Sequence, residues 1–256
     1  MTSPAGTDAA AVASGLRRLA ACAAVSLAAT PIEQPGRRAD SAAADAAVAV
    51  AVAALGLDVA LPIARHDDGR PAWPRGVTGS MAHAGHVAVA AVARGDAPTD
   101  AVGIDVEVAG ALPAIDAVAV LAPAEQAEVA THAAPDERAT LVWAAKEAAY
   151  KAWSTGTGGA LVDVDPVEIH IAGGASPPGA GQAGDGVEAL TAHAVGRLAA
   201  MAAPVGPLRG WCTRAGRYVL VLFVAADRAA TRGPHQGRDG IASEAITSPS
   251  AANATP

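Results

Sequence analysis

The sequence is poor in aromatic residues, which make up 3% of its 256 residues and include a single phenylalanine, Phe223. Much of the apolar share of 52% is alanine. A hydrophobic core of this chain must therefore be built from alanine, valine and leucine. The length suits one large domain or two small ones.

Positive charge is also scarce: 18 lysines and arginines oppose 25 acidic residues, for a net charge of −7. Nucleic-acid binding needs a basic face, so the balance argues against that class of partner. An acidic ligand would need a local basic patch instead. No apolar run reaches the ~18 residues of a membrane span, since the longest, residues 46–57, ends at Asp58.

Cysteine is nearly absent, and Cys22 and Cys212 lie far apart in apolar surroundings. This usage is typical of buried free thiols in a reducing compartment. Arg17 and Arg18, followed by apolar residues 19–29, have the outline of a signal peptide, but that stretch starts late and is mostly alanine. We therefore expect a cytoplasmic protein.

Lysine occurs only twice, at Lys146 and Lys151, whereas the other permanent cations are sixteen arginines. Both lysines lie in an alanine-rich stretch whose composition predicts a helix over residues 135–152. On that helix Glu147 and Lys151 share one face. The pair is either a surface ion pair worth ~0.2–0.5 kcal/mol or part of a site.

Residues 102–108 alternate between apolar and other side chains, which predicts a strand. Asp105 and Glu107 lie side by side on one face of it. They form either a solvated strand face or a divalent-cation site, since hard cations prefer carboxylate oxygens. His83 and His86 could suggest zinc, but no third ligand stands at a suitable spacing.

Other segments are assigned from composition. A helix over residues 37–55, ended by Gly56, carries Arg37 in its first turn, where a cation is unfavourable unless it faces an anion. We expect residues 1–15 to be flexible and residues 228–256 to be disordered. Further strands are predicted over residues 162–171, 187–195 and 217–225.

Three blocks carry a resemblance to a known family: GRPAWPRGVTGSMAH at residues 69–83, VGIDVE at 102–107 and WAAKEAAYKAW at 143–153. Their order and separations resemble the 4'-phosphopantetheinyl transferases of the Sfp type, and within them the branch named for the enterobactin synthetase component D. The resemblance covers roughly residues 37–225. It implies transfer of the phosphopantetheine arm of coenzyme A to a serine of an acyl or peptidyl carrier protein.

The resemblance implies an α+β fold of two pseudo-symmetric subdomains, each a small antiparallel sheet packed on a long helix. We expect an N-terminal subdomain over residues 16–110 and a C-terminal one over 111–227. Their boundary would fall near residues 108–113, and coenzyme A would lie in the cleft between them. A monomer suffices for this architecture.

The resemblance also implies the residues of a magnesium-dependent reaction. Asp105, Glu107 and Glu147 would be the metal ligands, and Asp105 would also belong to the coenzyme A site. Glu147 is expected to act as the base for the carrier serine, directly or through a water. Lys151 would contact the coenzyme A phosphates and stabilise charge on the attacked phosphate.

At the nucleotide end of coenzyme A, the resemblance implies His83 and Arg37, with Arg65 as a further basic contact. The chain departs from the family there. Ala82 stands where the family has Ser or Thr, and Asp45 stands where it expects arginine. A Gly158-Gly159 loop also replaces a basic residue after the third block. These departures predict weakened coenzyme A affinity.

Two other functions compete with the transferase. One is a non-catalytic module, descended from this family, that binds coenzyme A or a carrier protein. The other is a magnesium-dependent phosphate-ester hydrolase that uses the same carboxylates. The carrier could belong to fatty acid, polyketide or siderophore assembly, and the sequence does not distinguish among them.

Overall fold

A computed structural model describes residues 3–95, 100–159, 161, 164–173 and 186–226. Within these ranges the chain has the predicted α+β architecture, with two antiparallel sheets and helices packed on them. The helices are α1 (Pro4–Ala20), α2 (Arg37–Ala54), α3 (Pro123–Thr131), α4 (Pro135–Gly156) and α5 (Gly196–Ala202). The strands are β1 (Ser26–Pro31), β2 (Val77–Ala84), β3 (Val87–Arg94), β4 (Val102–Val108), β5 (Ile169–Gly173), β6 (Val187–Ala194), β7 (Leu208–Ala215) and β8 (Tyr218–Ala225).

The first sheet has the strand order β1-β3-β2. Its central strand β3 is buried at every position from Val87 to Ala93, as its unbroken run of alanine and valine indicates. Helix α2 covers one face of this sheet with small apolar side chains, among them Val48 and Val52. The predicted helix over residues 37–55 is confirmed.

The second sheet has the order β4-β8-β7-β6-β5, and helix α4 packs on it. Gly103 in β4 allows an unusually close approach of the helix. A methyl group on Gly103 would lie 1.9 Å from the carbonyl oxygen of Ala148 and 2.6 Å from the amide nitrogen of Ala152. This contact fixes the predicted helix against the predicted strand, so that their polar residues meet.

The structure departs from the expectation of a flexible N-terminus. Residues Pro4–Ala20 form helix α1, which Ser3 caps by accepting a hydrogen bond from the Gly6 amide at 3.1 Å. Its apolar face buries Val12, Leu16 and Leu19. Because the segment is rich in alanine, it shows little of the apolar periodicity that identifies a helix. The remaining sequence evidence for α1 was Ser3 as a capping residue directly before Pro4. The predicted disordered tail, 228–256, lies outside the described residues.

The sheets also differ from the predicted segments in detail. Strand β4 pairs with β8 in the second sheet, although a boundary near residues 108–113 assigns it to the first subdomain. Of the strand predicted over 162–171, residues 162–163 lie outside the described ranges, and among the described residues the strand starts at Ile169, after a 3-10 helix at Pro166–Glu168. Strand β7 and helix α5 were not predicted. None of the described helices is long and apolar enough to cross a membrane.

A buried ion pair joins helices α3 and α4. Lys146 and Glu125 are 1% and 5% exposed, and their charged atoms are 2.7 Å apart. The Lys146 ammonium also donates to the carbonyl oxygens of Pro166 and Ile169, at 2.9 and 2.7 Å. Glu125 accepts hydrogen bonds from the backbone amides of Ala122 and Ile171. One of the two lysines is therefore structural.

We predict that Lys146→Met and Glu125→Gln each lower the free energy of unfolding by about 3–5 kcal/mol, because each change leaves a buried charge without its counter-charge. Urea unfolding measures the loss. Glu128→Gln, on the same helix α3, is the control: Glu128 is 49% exposed in its pair with Arg138, so its loss stays below about 1 kcal/mol. Equal losses at Glu125 and Glu128 would contradict this account.

Candidate active site

The centre of the candidate site is an ion pair between strand β4 and helix α4. The Lys151 ammonium donates to Oδ1 of Asp105 at 2.6 Å. Asp105 is 4% exposed, and it reaches Lys151 because Gly103 brings the helix backbone onto the strand. The two predicted site residues are thus in contact.

The second oxygen of the same carboxylate has no hydrogen-bond partner. Oδ2 of Asp105 is buried and accepts no hydrogen bond from the described residues. Leaving a buried carboxylate oxygen unsatisfied is costly, so this oxygen marks a place where a cation or donor belongs. It is the observation in this structure that best fits a bound metal ion.

The remaining carboxylates are coupled to this pair. The pKa of Glu107 is raised to about 7, mainly by burial, and the charges of Asp105 and Glu147 contribute to the rise while Lys151 opposes it. Burial likewise raises the pKa of Glu147, with the charge of Asp105 acting in the same direction. A single ammonium, that of Lys151, therefore faces three carboxylates. The remaining negative charge favours the binding of a cation.

Lys151 remains protonated within this cluster. Burial alone would lower its pKa, but the charge and hydrogen bond of Asp105 and the charges of Glu147 and Glu107 outweigh burial and raise it. Burial also raises the pKa of Asp105, while Lys151 opposes that change. The four residues act as one electrostatic unit.

The donor set suits magnesium, since three carboxylates and no sulfur or imidazole ligands match a hard cation. However, no group of three or more His, Cys, Asp or Glu side chains in the described ranges is gathered closely enough to hold a metal ion. The expected convergence of Asp105, Glu107 and Glu147 on one ion therefore stays a prediction. Binding would require these side chains to rearrange around the unsatisfied oxygen of Asp105.

A cleft of about 450 Å³ opens beside the carboxylates, between the segment leading into β2 and the C-terminal half of α4. Arg65, Arg70, Arg75 and Lys151 line it, and Glu147 is the carboxylate among its lining residues. Trp73 and Tyr150 add apolar surface. A cleft with four permanent cations and two aromatic walls suits an elongated anion with an uncharged arm.

Arg70 and Arg75 line the cleft but were not assigned to the site from sequence, and the contacts of Arg70 show how it is held. Its Nε lies 2.7 Å from Oδ2 of Asp68, and a methyl group on Gly159 would lie 1.6 Å from its Nη1. The Gly158-Gly159 loop, predicted to weaken the cleft by lacking a cation, thus leaves room for the guanidinium of Arg70. Arg70 lies within the first family block, residues 69–83, and this position could have suggested a role in the site. Its contact with Gly159 joins distant parts of the chain and cannot be read from the sequence.

The residues expected at the nucleotide end are only partly gathered. Arg65 lines the cleft. His83 lies on β2 with a half-exposed side chain, 3.9 Å from Asp40. Arg37 is exposed in the first turn of α2. Neither His83 nor Arg37 is among the described residues that line the cleft.

Two family models match the chain in consecutive segments. Residues 27–93 match the 4'-phosphopantetheinyl transferase N-terminal domain, and residues 101–186 match the 4'-phosphopantetheinyl transferase superfamily. The first segment contains the sheet β1-β3-β2 and helix α2, and the second contains β4 and α4. The two matches together span more than half of the chain.

Named relatives point to the same family. The chain is 40% identical over 107 residues to 4'-phosphopantetheinyl transferase PptT of Mycobacterium tuberculosis, 41% of this chain and 45% of the relative. It is 42% identical over 106 residues to 4'-phosphopantetheinyl transferase Svp of Streptomyces mobaraensis, 40% of this chain and 42% of the relative. It is 36% identical over 119 residues to 4'-phosphopantetheinyl transferase Npt of Nocardia iowensis, 46% of this chain and 52% of the relative.

The chain thus spans about half the length of the curated relatives it matches. The matched segments include nearly all of the first sheet, helix α2, and the strand and the helix that carry the carboxylates and Lys151, whereas α1 and the described residues after 186 lie outside them. On these grounds the chain belongs to the 4'-phosphopantetheinyl transferase superfamily.

Proposed function

We propose that this protein transfers the 4'-phosphopantetheine arm of coenzyme A to a serine of an acyl or peptidyl carrier protein, with magnesium bound at the carboxylate cluster. The observation that carries the proposal is the contact of Lys151 with Asp105 at the wall of a cationic cleft. We place the enzyme in the Sfp-type branch named for the enterobactin synthetase component D, in the cytoplasm, and as a monomer.

The cleft supports coenzyme A as the donor. Its diphosphate is a concentrated anion, and Arg65, Arg70 and Lys151 supply permanent positive charge along the cleft. The pantetheine arm is uncharged, and the aromatic side chains of Trp73 and Tyr150 offer it an apolar wall. Tyr150 is held in place by the hydrogen bond that its hydroxyl donates to the Leu161 carbonyl at 3.0 Å.

Asp105, Glu107 and Glu147 would hold the magnesium ion, which when bound neutralises charge between the carboxylates and the diphosphate. The unsatisfied Oδ2 of Asp105 supports this assignment, and so does the raised pKa that burial and Asp105 give Glu107. Lys151 holds the Asp105 carboxylate in place through its other oxygen, Oδ1.

The transfer step follows from these positions. The serine oxygen of the carrier attacks the phosphorus that bears the pantetheine arm, and its proton passes to Glu147, directly or through a water. The bond from that phosphorus to the bridging oxygen breaks, and adenosine 3',5'-bisphosphate leaves. Lys151 stabilises the charge that develops on the phosphate oxygens.

An exposed apolar pair supports a protein partner. Ile115 and Val118 are 80% and 55% exposed, in the segment that follows β4 and precedes α3. This segment is anchored to α4 by a hydrogen bond from the Ala114 amide to Asp136 at 2.8 Å. A carrier protein that packs on this pair would be held next to the helix that carries Glu147.

One assay separates the transferase from its alternatives. The protein is incubated with coenzyme A, magnesium and an apo carrier protein, and the carrier is weighed by mass spectrometry. A gain of one phosphopantetheine arm supports transfer. Binding of coenzyme A without a gain would indicate a non-catalytic module, and release of phosphate products from an unmodified carrier would indicate a hydrolase.

We predict that Glu147→Gln slows carrier modification by about 10²–10⁴-fold, because the amide can neither accept the serine proton nor carry charge to the metal. The urea midpoint should stay close to that of the unmodified protein, since Glu147 lies at the cleft surface. Glu137→Gln is the matched control on the same helix, at a half-exposed position, and should leave the rate unchanged. A Glu147→Gln variant with normal turnover would exclude Glu147 as the base.

A second prediction concerns pH. Burial raises the pKa of Glu107 from 4.5 to about 7 in the folded protein, so the folded state holds a proton that the unfolded state has lost. Without metal, this contribution to stability is complete below about pH 4.5 and is lost as the pH rises through about 7. Magnesium needs the ionised carboxylate, so its affinity should rise over the same interval.

Urea unfolding at several pH values between 5 and 8, with and without magnesium, measures both trends. Glu107→Gln cannot titrate, so its stability in the absence of metal should fall less with pH than that of the unmodified protein. Identical pH slopes for the two proteins would show that Glu107 does not carry the raised pKa.

A further inference from the structure

Three of the four cations that line the cleft already lie next to a carboxylate. The three pairs, with the distances between their charged atoms, are Arg65–Asp45 at 3.6 Å, Arg70–Asp68 at 2.7 Å and Lys151–Asp105 at 2.6 Å. The fourth cation, Arg75, is exposed and lines the same cleft. Its side chain forms no ion pair and no hydrogen bond within the described residues. Arg75 is therefore the cleft cation whose charge no neighbouring carboxylate offsets.

A hydrogen-bonded β-turn presents Arg75 to the cleft. The Val77 amide donates to the Pro74 carbonyl at 3.1 Å, and Gly76 has a φ of 79°, as the third residue of a type II turn requires. The Gly95 amide donates to the Gly76 carbonyl, also at 3.1 Å, and ties the turn to the end of β3. The backbone of Arg75 is thus held in place while its guanidinium is available to a ligand.

The net charge that the cleft offers a ligand depends on Arg75. Each of the three paired cations is offset by its carboxylate, and Glu147 adds a further carboxylate to the wall. Without Arg75 the cleft and the carboxylates behind it would be net negative when Glu147 is ionised, which disfavours an anionic ligand. A guanidinium also has a planar fork of donors that matches the oxygens of a phosphate group.

We propose that Arg75 is a donor-binding residue whose guanidinium binds a phosphate group of coenzyme A at the edge of the cleft. This inference rests on the proposed function, because the ligand is the donor of that reaction. The family resemblance assigns other permanent cations to the donor, namely Arg37, Arg65 and Lys151. Unlike Arg65 and Lys151, Arg75 can bind a phosphate without competition from a carboxylate of the described chain.

Isothermal titration of the full chain with coenzyme A, in the presence of magnesium, tests the proposal without requiring turnover. Arg75→Gln should weaken coenzyme A binding by about 10–100-fold, the loss expected for a hydrogen bond between charged groups. Arg75→Lys keeps the charge but not the fork and should lose less than about tenfold.

Arg209→Gln is the matched control. Arg209 is exposed on β7, and within the described residues it forms no ion pair and does not line the cleft. The substitution makes the same change in net charge and should leave the dissociation constant within about twofold.

The salt dependence of binding separates a direct contact from a structural role. Salt screens the attraction between the guanidinium and a phosphate, so the dissociation constant of the unmodified protein should rise more steeply between about 0.05 and 0.3 M KCl than that of Arg75→Gln. The urea midpoint should stay the same in both proteins, since Arg75 is exposed. Equal affinities and equal salt slopes would overturn the proposal.

The same titrations with 3'-dephospho-coenzyme A identify the phosphate group. If Arg75→Gln weakens both donors equally, Arg75 binds the diphosphate. If it weakens coenzyme A alone, Arg75 binds the 3'-phosphate, and either result supports the proposal. An unchanged affinity for both donors with a raised KM for the carrier would assign Arg75 to the carrier protein and would overturn it.

The outcomes also separate this inference from the proposed function. If the carrier gains the expected mass while Arg75→Gln binds coenzyme A as tightly as the unmodified protein, the inference fails and the transferase stands. If the unmodified protein neither binds coenzyme A nor modifies the carrier, both fail.

Discussion

The contact between Gly103 and the backbone of helix α4 is the constraint on which the site depends. A side chain at Gly103 would overlap the Ala148 carbonyl, so only glycine lets α4 lie directly on β4. At that distance Lys151 reaches Asp105 at 2.6 Å. The same approach places Glu107 and Glu147 close enough for their charges to affect one another. A packing requirement thus determines the electrostatics of the cluster.

Once assembled, the cluster has an unbalanced charge. One ammonium faces three carboxylates, one carboxylate oxygen is buried without a partner, and the pKa of Glu107 rises to about 7 through burial and the charge of Asp105. The neighbouring cleft is lined by four permanent cations and one carboxylate, Glu147, and three of those cations, Arg65, Arg70 and Lys151, also pair with carboxylates behind the cleft wall. A metal ion on the acidic side and a diphosphate on the basic side would satisfy both, which is why one ligand pair explains the two regions together.

The parts of this arrangement that were predictable from sequence are those with a short-range pattern. Alternation identified β4, and helix-forming composition with Pro135 identified α4. Helix α1 was missed because alanine carries little periodicity, and β7 because Arg209, Gly210 and Thr213 interrupt its apolar residues. Two contacts in the cleft region join residues that are distant in sequence: Arg70 packs against Gly159, and Asp45 pairs with Arg65. No local pattern reports such contacts, so the balance of charge in the cleft required the folded chain.

The most direct test of the central claim is calorimetric titration of magnesium into the protein saturated with coenzyme A, compared with the variant Asp105→Asn. The unmodified protein should bind magnesium at about one ion per chain, because the buried oxygen of Asp105 and the neighbouring carboxylates need a cation. The variant should lose that binding while it remains folded. Equal magnesium binding by both proteins would contradict the assignment of the metal to the junction of β4 and α4.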